Sequence, residues 1–234
     1  MRTLLIVLLL LAGPAVAQEA LSPYEEARVI LSKISELAAT GVAFDDEGSD
    51  GYIPALHIDG RYHMACIDLV LVSYRAAGYD FIDLMNQRDA PELGPTARKI
   101  SCHPVEPKVS GKPEAGVTGP ARSRSIVRLI EYLKSSSAFH YYDGQNSRPL
   151  DREWKPRMPF RIGDIVFLHY IDGPDRHSGI VTRVDPLSGL PAMVAQISPY
   201  NKVTDLQQTT LPELFRLKCR RLTGYARPAR WDQE

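Results

Sequence analysis

Residues 162–184 read IGDIVFLHYIDGPDRHSGIVTRV. Ile162 to Tyr170 and His177 to Val184 are runs rich in β-branched and aromatic residues, the composition of strands. Between them, Asp172-Gly173-Pro174-Asp175 is turn sequence. The stretch predicts a β-hairpin whose first strand is opened by a Gly-Asp turn. Downstream, Asp185 to Gly189 is a second turn and Met193 to Ile197 a third strand. Leu211 to Leu214 reads as a short helical turn and Leu222 to Ala226 as a closing strand. The last third of the chain is therefore an antiparallel meander.

Upstream the period changes from two to 3.6. Ser22 is an N-cap candidate, Pro23 fits the first helical position and Glu25 completes a capping box. Val29, Ile30, Ile34, Leu37 and Ala38 recur at helical spacing up to Gly41. A second helix starts near Ala65 and ends at Gly78. Ile67, Leu69, Val70, Val72, Ser73 and Tyr74 leave it with no fully polar face, so it is expected to be central and buried. Phe81 to Met85 reads as a further helical turn, and Ile126 to Leu133 as a third helix capped by Ser125. Residues 91–123 are punctuated by six prolines and read as an excursion lining a cleft. Helices first and a meander after define an α+β fold.

The extreme N-terminus reads as an address. Arg2 precedes nine apolar residues, Leu4 to Ala12, and Gly13-Pro14 break the run before Ala15-Val16-Ala17. This is the layout of a secretory signal peptide cut after Ala17, with residues 18–234 forming a single mature domain. Gln18 stands where a lipoprotein would carry Cys. No later stretch is apolar enough to span a bilayer. The mature chain is thus expected to be periplasmic or secreted, in an oxidising compartment. Lys+Arg and Asp+Glu number 28 each, a balance that argues against nucleic acid as a partner and against a polybasic membrane arm.

Three residue types in the right places suggest chemistry. Cys66 falls in the first turn of the buried helix, where unpaired N–H groups and the helix dipole favour thiolate. His177 opens the return strand of the hairpin, where a ring nitrogen can act as general base. Gln196 lies one strand over, and its side-chain oxygen can accept the other imidazole N–H. Together these have the logic of nucleophile, base and orienter. Taken singly, each has a plainer reading: a buried small hydrophobe, a turn histidine and a strand polar residue. His57, His103 and His140 fall in loop-like sequence without metal-ligand spacing, and His63, Cys66 and Asp68 do not complete a four-ligand set.

Cys66-Ile67-Asp68, Gly163-Asp164-Ile165-Val166-Phe167 and His177-Ser178-Gly179-Ile180-Val181, followed by a polar residue on the next strand, resemble the NlpC-type papain-fold cysteine peptidases. The nearest likeness is to an exported bacterial branch of that superfamily, over roughly residues 50–226. The resemblance implies Cys66 as nucleophile, His177 as base and Gln196 as orienting residue. The family more often has His or Asn at the third place, so Gln196 is a departure, and an uncharged one. The implied activity is hydrolysis of an amide bond in cell-wall peptide through an acyl-enzyme, by a monomer and without cofactor or metal. Tyr62 or His63, just before the helix, would join the Cys66 N–H as oxyanion donor. Asp68 would bind a substrate amine or cap the helix. Two other outcomes stay open: a thiol acyltransferase with a non-wall substrate, and a non-catalytic envelope protein that binds peptide in the same cleft. Cys102 and Cys219 are expected to pair, pinning the excursion to the body and leaving Cys66 as the odd thiol; the alternative is three thiols.

Overall fold

The computed structural model describes residues 21–44, 56–97, 125–147, 155–169, 176–197, 206–216 and 221–233. Residues 1–20, which hold the expected leader, Cys102, Cys219, the expected turn at 172–175 and residues 98–123 of the expected excursion lie outside these.

Helix α1 (Pro23–Thr40) starts as its sequence predicts. Ser22 Oγ accepts the Glu25 N–H at 3.3 Å, and the Glu25 carboxylate accepts the Ser22 N–H at 2.9 Å. Its buried stripe is Glu26, Ile30, Ile34 and Leu37. Strands β1 (Val42–Phe44) and β2 (Tyr62–Met64) then pair in parallel. Helix α2 (Cys66–Ala76) follows at once. Helix α3 (Phe81–Ala97) runs well past Met85 and through Pro91 and Pro95. The sequence reading stopped it short because it took prolines as breakers. Each interior proline forfeits one backbone hydrogen bond but does not forbid helical φ. Helix α4 (Ile126–Ser135) has its Ser125 cap.

The remaining elements are strand β3 (Phe139–Ser147), strand β4 (Ile165–His169), strand β5 (Arg176–Val184), strand β6 (Pro191–Ile197), strand β7 (Leu206–Thr209), helix α5 (Leu211–Arg216) and strand β8 (Arg221–Pro228). A 3₁₀ turn, Ala229–Gln233, ends the description. The six long-sheet strands are all antiparallel, in the order β3-β8-β4-β5-β6-β7. Over the described residues the chain is α+β, with five α-helices and an antiparallel sheet. The antiparallel pair β4 and β5 forms its centre, with Ile165 opposite Ile180 and Leu168 opposite His177. Strands β1, β2, β3 and β7 were not anticipated. β3 had a signal in its aromatic run Phe139, Tyr141, Tyr142; the others are three or four residues long and leave no periodicity.

The sheet is buried on both faces. Ile165, Phe167, Ile180, Ala195, Ile197 and Ala226 join the core formed by the helices. Val166, Leu168, Val181, Val194, Leu222 and Tyr225 form a second cluster with Leu211, Leu214 and Phe215 of the α5 helix. This explains why the strands read as continuous apolar runs rather than alternating ones.

The Gly-Asp opening of β4 has a structural cause. Gly163 adopts φ +95°, and a Cβ there would stand 2.6 Å from Trp231 Cη2. Asp164 is fully buried and accepts from the Arg161 N–H at 2.9 Å and from Arg227 Nη2 at 2.8 Å. Burial raises its pKa to about 7, outweighing the opposing pull of the Arg227 guanidinium. The folded state therefore holds a proton that the unfolded chain releases near the ordinary carboxyl value of about 4. That stabilising contribution is complete below about pH 4 and is lost as pH rises through about 7. Asp89 and Asp232 are shifted downward, so their contributions are lost only at more acid pH. The melting temperature should climb between pH 8 and pH 5.5, and Asp164→Asn should flatten that slope. An unchanged slope in the variant would show that Asp164 does not carry the effect.

Candidate functional site

The first turn of α2 is closed by Asp68. Its carboxylate accepts the Ala65 N–H at 2.7 Å, and its own N–H donates to the Ala65 carbonyl at 3.1 Å. Asp68 is fully buried, so it serves the helix start; of its two expected roles, this is the one with a hydrogen bond on view. Cys66 begins the same turn and is a buried thiol.

The level of Cys66 relative to the sheet follows from two hydrogen bonds. Tyr74 Oη donates to the Gly163 carbonyl at 2.7 Å, and the Gly163 N–H donates to the Val181 carbonyl at 2.8 Å. The C-terminal end of α2 thus lies over the start of β4 and the later part of β5. Eight residues back along the helix is about 12 Å. Four residues back along β5, from Val181 to His177, is about 13 Å. Laid along β5 in the same direction, α2 would therefore bring Cys66 level with His177, at the end of the sheet where β5 starts and β6 finishes. Cys66, Val70 and Tyr74 share one stripe of α2, the stripe turned to the sheet.

At that end His177 Nε2–H donates to Gln196 Oε1 at 2.5 Å. Antiparallel pairing of β5 with β6 makes the two residues diagonal neighbours. An amide oxygen only accepts, so the proton sits on Nε2 and the lone pair on Nδ1. The tautomer is the one a general base needs, with Nδ1 as the basic atom.

Strand alternation adds a condition. A Cβ on Gly179 would point at Val194 and Val166. His177 and Gln196 share that side of the sheet, while Ser178, Ile180 and Ile197 face the helices. Beyond His177 the described part of β5 carries one more rung, Arg176–His169. The group is also enclosed: relative exposure is 9% at Cys66, 4% at His177 and 0% at Gln196.

Tyr62 and His63 sit on β2, directly before α2, and both are part-exposed. His63 Nε2 pairs with Asp59 at 2.8 Å, and its ring stacks on His57 with centroids 4.0 Å apart. That nitrogen is turned to the 56–61 turn. The His63 pairing holds the Asp59 carboxyl below its ordinary range. Among the described residues no group of three or more His, Cys, Asp or Glu could hold a metal ion. A cavity of about 290 Å³ lies elsewhere, between Leu31 and Ile34 of α1 and Arg183, Met193 and Gln208 at the far end of the sheet. No described helix is long and apolar enough to cross a membrane.

The sequence reading did not single out Ser178, a buried serine that alternation puts on the helix side of β5. It also missed the buried Asp164–Arg227 pair that holds the start of β4. Comparison with protein-family models, curated proteins and solved structures finds no match to this chain.

Proposed function

We propose that this chain is an exported cysteine hydrolase of the NlpC-like, papain-fold type, cleaving an amide bond in cell-wall peptide. The observation that carries the reading is the buried His177–Gln196 hydrogen bond, on the two strands β5 and β6 against which the thiol-bearing helix α2 packs. In this reading His177 Nδ1 takes the Cys66 proton, and the helix N-terminus favours the resulting thiolate. The thiolate attacks the peptide carbonyl. The Cys66 N–H and the Tyr62 hydroxyl receive the oxyanion. The imidazolium protonates the leaving amine, and a thioester joins Cys66 to the acyl fragment. Water, deprotonated by His177, then releases the acid and restores the thiol.

The test is digestion of purified cell wall by wild type and Cys66→Ala, with mass spectrometry of the soluble peptides. New amide-cleavage products are expected from wild type alone. Identical product sets would overturn the reading. Release of acyl transfer products instead, on offering an amine acceptor, would make the chain a thiol acyltransferase.

A second reading is supported by the enclosure of all three residues and by the uncharged orienter. It is a non-catalytic envelope protein that binds peptide on the same fold. It expects peptide binding that survives Cys66→Ala and no cleavage.

A further inference from the structure

The cavity of about 290 Å³ between α1 and the sheet has an apolar side and a polar side. Leu31 and Ile34 of α1 and Met193 of β6 supply the first. Thr182 and Arg183 of β5 and Gln208 of β7 supply most of the second. No carboxylate among the described residues lines it. A β-bulge builds the polar side. Val181 pairs with Val194 and Arg183 with Met193, so Thr182 and Arg183 together oppose a single residue of β6. A bulge re-aims side chains, and here two neighbours on one strand line the same cavity. Thr182 Oγ1 donates to Gln208 Oε1 at 3.0 Å, which fixes the amide and leaves its N–H groups as donors. Arg183 is exposed, and no carboxylate among the described residues pairs with it. Asp185, two residues on, accepts instead from the Leu187 N–H at 3.1 Å and from Ser188 Oγ at 2.6 Å.

From this we propose that the cavity is a binding site for a small organic carboxylate with a branched aliphatic chain. The chain packs on Leu31, Ile34 and Met193, and the carboxylate meets the Arg183 guanidinium and the Gln208 amide. Both are donors, and the planar guanidinium fork matches the two oxygens of a carboxylate. The volume stands at the lower end of small-molecule sites, about 300–1,000 Å³, so the occupant is no larger than one residue. Two sources carry this chemistry: a free short-chain acid, and the C-terminal residue of a peptide. Cys66, His177 and Gln196 do not line the cavity, so the site holds whether or not Cys66 is a nucleophile.

The experiment is an NMR titration of the protein carrying methyl-labelled methionine, with the Met193 signal assigned through Met193→Leu. Isocaproate should shift the Met193 methyl saturably with a Kd of about 1 mM, which is what a ligand of so few atoms reaches. Isocaproamide, of the same shape without the charge, should bind about tenfold more weakly, and isoamylamine should leave the signal unmoved. Arg183→Gln, a change at an exposed position, should weaken isocaproate about tenfold, and Arg183→Lys should recover part of the loss. N-acetyl-leucine stands for a peptide C-terminus: tighter binding than isocaproate names the peptide as the source, and weaker binding names the free acid. The proposal is overturned if isocaproate gives no saturable shift up to about 20 mM. It is overturned equally if the amide binds as well as the acid, or if Arg183→Gln binds isocaproate as wild type does.

Discussion

Arg227→Ala should lower stability by about 3–5 kcal/mol at neutral pH, because the buried Asp164 must then take up a proton or stand unpaired, and Asp232 and the Pro159 carbonyl lose their donor. Arg227 is 1% exposed. Its Nη2 donates to Asp164 at 2.8 Å and to the Pro159 carbonyl at 2.7 Å, and its Nη1 donates to Asp232 at 3.0 Å. The guanidinium also lies 5.3 Å from the centre of the Tyr142 ring. One side chain thus joins the segment before β4, strand β8 and the terminal 3₁₀ turn. For a chain of this size the expected drop in melting temperature is about 10 °C. The sign of the pH dependence is diagnostic. Asp164 titrates near 7, so below that pH it is neutral and easier to leave unpaired. The penalty of Arg227→Ala should therefore shrink between pH 7.5 and pH 5.5. A loss under 1 kcal/mol, or one that grows as pH falls, would show that the pair does not anchor the strand. Arg227→Lys should recover little, since one ammonium cannot serve three acceptors in a fork.

His177→Ala should slow alkylation of Cys66 at pH 7 about hundredfold, the lower end of what a positioned base contributes. The reason is that the Nε2–H donation to Gln196 leaves Nδ1 as the basic atom. Gln196→Ala should cost less, about tenfold, because the ring loses its fixed tautomer but keeps its basicity. Gln196→Asn or Gln196→His should hold or raise the rate. Labelling measured at the Cys66 peptide separates this thiol from Cys102 and Cys219. If His177→Ala labels as fast as wild type, the imidazole does not act on the Cys66 sulfur. The His177–Gln196 pair would then be a buried structural hydrogen bond, and the peptide-binding reading would stand ahead.

What could be read without coordinates follows from local rules. The capping box at Ser22 and Glu25 depends on residues three apart, and it formed as written. The central helix was legible because Ile67 to Tyr74 offers no polar face. The hairpin was legible because two apolar runs flank a turn. Cys66, His177 and Gln196 could be named from their positions on those elements. The α3 helix was cut short because proline was treated as a stop, and β1, β2 and β7 were missed because so few residues carry no period.

Three things depended on tertiary structure. The partner of Asp164 is Arg227, 63 positions away, and no local pattern ties the two. The place of α2 on the sheet comes from the Tyr74–Gly163–Val181 chain of hydrogen bonds, which ties the C-terminal end of the helix to the start of β4 and to β5. The side of the sheet each residue takes is set by register, and a shift of one residue would exchange His177 for Ser178. The sequence by itself determined which residues could do chemistry, since side-chain type and helix or strand position are local. Only the tertiary structure decided which of them face one another, because that depends on register and packing between segments far apart in the chain.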